Sequence, residues 1–294
     1  MCIKPKLAIK LGVDAEGKTK IKFIGHPDYS YTYCINKYGK DNVMLLPCGE
    51  CSECRKSYKR EWSVRCMAEA SQHKLNTFIT LTYDDVHYRD YTDVREFQLF
   101  MKKLRSMTGI EGLKYFGCSE AGLQTGRYHF HLIIFGWFPD DAKFEYRNGL
   151  GQHFYSSKKL EKIWSNGFVV ISDVSKDACA YVAGYTAKKD NEVKPGKIFM
   201  SRNPGLGFDY FKNNASKIMK TGSCVIPGFG VVSVPRYGLN VLDKLGYDVS
   251  TIRDDKVSLA NKRLLATAIS QHAKSYDEVL TRVPIQTSSR KRGL

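Results

Sequence analysis

The sequence predicts an α+β fold, a central antiparallel sheet with helices packed on one face. Three observations carry this. Residues 77–189 read strand, helix, strand, strand, helix, strand, helix by their hydrophobic periodicity. The two adjacent strands, 113–118 and 129–135, are joined by a polar loop from Glu120 to Gly126, short enough to make them antiparallel neighbours. The order lacks the regular strand–helix alternation of a doubly wound parallel sheet.

Each element has its own signal. Residues 7–11 and 21–24 are strands flanking a polar turn at Asp14–Gly17. Gly12 to Thr19 (GVDAEGKT) formally matches a phosphate-binding loop. That loop requires a helix opening after it. The next residues, Lys20-Ile21-Lys22-Phe23, alternate as a strand does, so the segment reads as a hairpin and no nucleotide cofactor is expected. Residues 55–75 have helical spacing at Trp62, Arg65, Cys66 and Glu69, with no Gly or Pro. Residues 77–83 (TFITLTY) are a strand rich in β-branched and aromatic residues. Residues 94–107 form an amphipathic helix with Phe97, Phe100, Met101 and Leu104 on one face. A short helix at 158–164, a strand at 167–171 and a helix at 176–189 complete the set. From Asn191 onward Pro195, Pro204, Gly205 and Gly207 mark loops, with one late helix near 256–274 and a basic tail, 288–292, expected to be disordered. The implied domains are an N-terminal β extension (1–45), a central domain (46–210) and a basic C-terminal extension (211–294).

Composition narrows the partners. The 294 residues carry 46 Lys and Arg against 30 Asp and Glu, a formal net charge of +16 spread along the chain. A broad basic surface suits a polyanion, nucleic acid before an anionic membrane. Eighteen Tyr and fifteen Phe interleaved with the cations favour nucleic acid, since aromatics stack on bases. No apolar run reaches the length of a membrane span and no secretion signal follows Met1, so a soluble protein is expected. Nine Cys without a signal peptide point to a reducing compartment.

The most informative stretch is His129-Phe130-His131-Leu132-Ile133-Ile134-Phe135. Alternation puts His129 and His131 on one face with Ile133 and Phe135, in a strand apolar enough to be buried on both sides. Two imidazoles one pleat apart can share a metal ion. Glu120, at the end of the neighbouring strand, offers a carboxylate suited to hard divalent ions. Three ligands with open positions describe a catalytic metal; the competing reading of Glu120 is a solvated loop residue. Tyr181 and Tyr185 stand four apart on a helix, with Lys188 three residues further on the same face. That spacing is equally that of core packing, but the lysines make the patch suit a phosphate. Cys48, Cys51 and Cys54 recur at every third position and can bind zinc, with Cys66 as a fourth thiol. An iron–sulfur cluster and reduced, half-buried thiols are the other readings.

Together, His129-Phe130-His131 and Tyr181-x-x-x-Tyr185-x-x-Lys188 resemble the HUH endonucleases that initiate rolling-circle replication, and residues 77–83 look like their first motif. Further segments resemble the replication proteins of gokushovirus-like microviruses: Pro47 to Arg55 with Trp62, Arg65 and Cys66; Ile163-Trp164 with Gly167-Phe168-Val169; and Met200 to Gly207. The resemblance covers about residues 45–210. It implies an HUH nuclease (RRM-like) fold in the central domain and a nicking–joining reaction on single-stranded phage origin DNA in the host bacterial cytoplasm. Mg2+ or Mn2+ would be held by His129, His131 and Glu120, with Tyr181 or Tyr185 as nucleophile and Lys188 neutralising charge. Host helicase and DNA polymerase would be partners, and no membrane would be involved. Two other readings compete. A non-catalytic basic nucleic-acid-binding protein leaves the His and Tyr pairs unused, and a non-haem iron oxygenase leaves the tyrosines and the basic surface unused.

Overall fold

The computed structural model describes residues 2, 6–15, 19–24, 31–91, 93–122, 126–185 and 196–270, without the side chains of 31, 32, 45 and 261–270. The chain runs through β1 (Lys6–Val13), β2 (Thr19–Phe23), α1 (Tyr31–Tyr38), a 3-10 turn (Lys40–Asn42), β3 (Val43–Leu46), α2 (Ser52–Ala70), β4 (Asn76–Tyr83) and α3 (Val94–Thr108). It continues through β5 (Tyr115–Ala121), β6 (Tyr128–Phe135), β7 (Lys143–Arg147), β8 (His153–Ser156), α4 (Lys158–Trp164), β9 (Gly167–Ser172) and α5 (Lys176–Tyr185). Last come β10 (Ile198–Met200), α6 (Phe208–Asn213), α7 (Ala215–Thr221), β11 (Ser223–Ile226), β12 (Gly230–Ser233), α8 (Arg236–Lys244) and α9 (Ser250–Ser270). Two compact units result, residues 1–57 with 250–294, and residues 58–249. Residues 186–195 and 271–294, which include Lys188, the end of the expected late helix and the basic tail, lie outside the described residues.

The first unit holds a three-stranded antiparallel sheet in the order β2-β1-β3. Its core is Leu7, Ile9, Cys34 and Val43. Thr19 opens β2 rather than a helix, so no helix N-terminus faces the β1–β2 turn to cradle a phosphate.

The second unit is built on a seven-stranded sheet in the order β10-β5-β6-β4-β9-β8-β7, with every pairing antiparallel. This is the α+β class the sequence implies, with one correction: the helices cover both faces. On one face α3 and α4 pack against Ile79, Leu81, Phe130, Leu132 and Ile134. On the other, Trp62, Cys66 and Ala70 of α2 and Cys179, Val182 and Ala183 of α5 pack against Phe116, Cys118, Ile133 and Phe135. The cause lies in β6, which is apolar on both of its faces and would leave one exposed if helices covered only the other. Burying each such side chain contributes about 1.5–3 kcal/mol.

Caps fix where the helices begin and end. Asp93 accepts hydrogen bonds from the amides of Arg95 and Glu96 at the start of α3, and Gly109 ends it in the left-handed region (φ 64°). Ser157 caps α4 through the amide of Leu160.

The segment from 201 to 249, expected as loops, folds into α6, α7, the β11–β12 hairpin and α8. Its glycines are close-contact and turn positions rather than breaks. A Cβ on Gly205 would lie 2.6 Å from the Tyr237 hydroxyl, and Gly207 precedes α6 at φ 83°. Two contacts lock this segment to α2. Buried Glu69 accepts from the Gly207 amide at 2.8 Å, while its other carboxylate oxygen pairs with Lys114 at 3.0 Å and His73 at 2.9 Å. The Arg65 guanidinium lies between the rings of Trp62 and Tyr237, 4.0 and 3.9 Å from their centroids, and donates to the Leu206 carbonyl.

Candidate active site

Strand register assembles the site. Along β5 and β6, Glu120 is opposite His129 and Cys118 opposite His131. Along β4 and β6, Thr82 is opposite His129 and Thr80 opposite His131. Directly paired residues share a face, so all six look the same way. Glu120 lies within β5, which runs on to Ala121. Its Oε1 is 2.8 Å from His129 Nε2 and 3.1 Å from His131 Nε2. The three donor atoms lie within 4.8 Å of one another.

Sequence reasoning missed Thr80 and Phe78. Thr80 Oγ1 lies 3.0 Å from His131 Nδ1, and the Phe78 ring stacks parallel to the imidazole at 5.9 Å. For Nε2 to present a lone pair to a cation, Nδ1 must carry the proton and donate it to the threonine. The signal was available: Thr80 alternates within TFITLTY and pairs with His131 once the strands are aligned.

The electrostatics suit ligation of a hard cation. Burial alone would raise the Glu120 carboxyl. Hydrogen bonds from His129, His131 and Tyr181 outweigh it and hold the group well below the usual carboxylate range. Burial lowers His131, with Glu120 opposing, so the imidazole favours the neutral form that binds metals. One carboxylate and two imidazoles converging from rigid strands fit Mg2+ or Mn2+, with positions left for substrate oxygens.

The tyrosines arrive on α5, whose buried face (Cys179, Val182, Ala183) is fixed to the sheet. The helix starts where Ser175 Oγ accepts from the Ala178 amide. Tyr181 donates to Glu120 Oε1 at 2.5 Å and lies 3.4 Å from His131 Nε2. Tyr185 donates to the Tyr181 hydroxyl at 3.2 Å. Burial, then the bond to Glu120, raises the Tyr181 phenol above its ordinary value, so it stays protonated until a cation intervenes. Beside the same turn, a Cβ built on Gly184 would lie 3.8 Å from Lys59 Nζ, a cation that sequence reasoning did not select.

The histidine face continues onto β9, where Phe168 pairs with Thr82 and Val170 with Thr80. Both are exposed, Phe168 at 63%. The cysteines divide differently from the sequence expectation. Cys48, Cys51 and Cys54 gather with Cys2. Cys66 is fully buried in the core formed by α2, α5 and the sheet, beside Cys179, and is not the fourth thiol. Its place on the inward face of α2 is set by the helical spacing it shares with Trp62 and Ala70.

Comparisons with known proteins agree with this geometry. The family model for the replication-associated protein ORF2 matches residues 76–190, which include Glu120, His129, His131, Tyr181 and Tyr185. The replication-associated protein VP4 of Bdellovibrio phage phiMH2K is 30% identical over 279 residues, covering 90% of this chain and 84% of that protein. The replication-associated protein ORF4 of Chlamydia phage 1 is 29% identical, covering 81% of this chain and 64% of that protein. The replication-associated protein ORF2 of Spiroplasma virus 4 is 29% identical, covering 86% and 83%. No solved structure matches the chain. No helix among the described residues is long and apolar enough to cross a membrane. With a sheet that seats Glu120, His129 and His131 on adjacent strands, and relatives of this similarity over most of its length, the chain belongs to the family of microvirus replication-associated proteins.

Proposed function

We propose that this chain is the initiator endonuclease of rolling-circle replication, nicking and rejoining single-stranded origin DNA of a small phage in the host bacterial cytoplasm. One observation carries the reading: the Tyr181 hydroxyl is 2.5 Å from the same Glu120 oxygen that both histidines face. Glu120, His129 and His131 would hold Mg2+ or Mn2+, which when bound polarises the scissile phosphate.

The remaining chemistry belongs to the chain's own residues. The Tyr181 oxygen attacks phosphorus, forming the Tyr–O–P bond as the P–O3′ bond breaks. The phenolic proton ends on the departing oxygen, leaving a 5′-phosphotyrosine and a free 3′-OH. Host polymerase extends that end while host helicase unwinds. Tyr185, with its hydroxyl 3.2 Å from that of Tyr181, cuts the regenerated origin. The released 3′-OH attacks the first phosphotyrosine, closing the circle and restoring the phenol. One phosphodiester is exchanged for another of similar energy, so no nucleotide is hydrolysed. Lys59 and Lys188 offset phosphate charge, and exposed Phe168 supplies a stacking surface for a base on the histidine face.

The test is a covalent-adduct assay with circular single-stranded phage DNA and Mn2+, resolved in SDS. A protein–DNA adduct is expected with the unaltered protein and none with His131→Ala or the double variant Tyr181→Phe/Tyr185→Phe. An unaltered protein that forms no adduct, or a double variant that still does, overturns the reading and leaves a basic nucleic-acid-binding protein without catalysis.

A further inference from the structure

We infer that Cys2, Cys48, Cys51 and Cys54 form a closed four-thiolate zinc site that fastens residue 2 to the start of α2. The four sulfurs lie within 4.8 Å of one another. Cys48 Sγ is 3.9 Å from Cys54 Sγ, and Cys51 Sγ is 3.8 Å from Cys2 Sγ. Four sulfurs arranged tetrahedrally around one zinc at about 2.3 Å stand about 3.8 Å apart. Two opposite edges of the cluster therefore already have the length a single ion requires. A four-iron cluster would seat each thiolate on a different iron and spread the sulfurs further.

The backbone around the sulfurs is arranged for thiolates. The Cys48 amide points at Cys2 Sγ (3.3 Å), the Glu50 and Cys51 amides at Cys48 Sγ (3.4 and 3.3 Å), and the Cys54 amide at Cys51 Sγ (3.5 Å). Such donors stabilise negative sulfur and orient it as a ligand. Gly49, at φ 77°, gives the tight turn that brings two amides onto Cys48. Cys51 and Cys54 stand at the N-terminal end of the 19-residue helix α2, where the peptide dipoles also favour a thiolate.

Four soft donors select zinc over the hard ions suited to the Glu120 site. With every coordination position filled by protein, the ion is structural. It would hold together three pieces of chain: residue 2, the turn after β3 and the first turn of α2.

The experiment uses the full chain, washed with a chelator that strips Mg2+ and Mn2+, with zinc measured by mass spectrometry. About one zinc per chain is expected, consistent with one four-coordinate site. Alkylation mapping of the same sample should find Cys2, Cys48, Cys51 and Cys54 protected, and all four modified once zinc is extracted. Cobalt substitution should give the thiolate charge-transfer and strong visible bands of tetrahedral cobalt. Cys2→Ser should lose stoichiometric zinc; because that variant could also misfold, the alkylation and cobalt results on the unaltered chain decide the matter. A zinc-free chain, iron with acid-labile sulfide, or Cys2 alkylated while zinc stays bound would each overturn the assignment.

Discussion

Tyr181 on α5 and Glu120 on β5 meet through a 2.5 Å hydrogen bond, although 61 residues separate them in sequence. Neither side chain is deeply buried. What holds them together is the packing beneath them, where Cys179, Val182 and Ala183 of the helix sit on Phe116, Cys118, Ile133 and Phe135 of the sheet. The nucleophile is thus placed by a rigid apolar interface and not by a loop, which preserves its distance to the histidines.

The contact between Thr80 and His131 predicts the first variant. Thr80→Val keeps the shape of the side chain and removes the oxygen 3.0 Å from Nδ1. Loss of an outer-shell partner of this kind costs about 10–100-fold in metal affinity. Calorimetric titration with Mn2+ should show that weakening with little change in thermal stability.

Gly117→Ala should damage the site from below. A methyl there would overlap the Leu132 side chain and come 2.7 Å from the carbonyl oxygen of His131. β5 must then move away from β6, and Glu120 with it. A cost of about 1–3 kcal/mol is expected for such overpacking, read in denaturant melts, together with weaker Mn2+ binding.

Phe168→Ala tests the stacking surface. Base–aromatic stacking contributes about 1–3 kcal/mol per base. Fluorescence anisotropy with a single-stranded oligonucleotide should show at least a several-fold loss of affinity, while Mn2+ binding and folding stay unchanged because the ring is exposed.

Buried Glu69 sets the acid limit of stability. Burial would raise its carboxyl, but His73, the Gly207 amide and Lys114 outweigh this and lower it. A carboxyl depressed by folding adds stability above its unfolded value of about 4.3, and that contribution is lost as pH falls through the depressed value. Unfolding free energy should therefore drop below about pH 4 in the unaltered protein and less steeply in Glu69→Gln. At neutral pH Glu69→Ala, which leaves Lys114 without its buried partner, should cost about 3–5 kcal/mol.

Much of this was legible from the sequence because the relevant signals are local. Alternation in residues 129–135 fixed the face of both histidines, and a short connection brought Glu120 beside them. The helix at Lys158–Trp164 has the bounds its pattern implies. Three things were not legible. The two-sided helix cover depends on which strand α2 meets, and the spacing of Trp62, Cys66 and Ala70 defines a face without naming its partner. The β7–β8 hairpin carries no apolar alternation, since β7 is exposed throughout. Cys2 joins thiols 46 or more residues away, a contact no local pattern encodes; Cys66, nearer in sequence, was the natural but incorrect choice.

Peptide mapping of the protein–DNA adduct by mass spectrometry tests the central claim most directly, because it names the residue bonded to the 5′-phosphate. The account predicts the first adduct on Tyr181, whose hydroxyl is the one bonded to Glu120, with Tyr185→Phe still forming it. An adduct on a residue other than Tyr181 and Tyr185, or cleavage that leaves a free 5′-phosphate and no adduct, would contradict it.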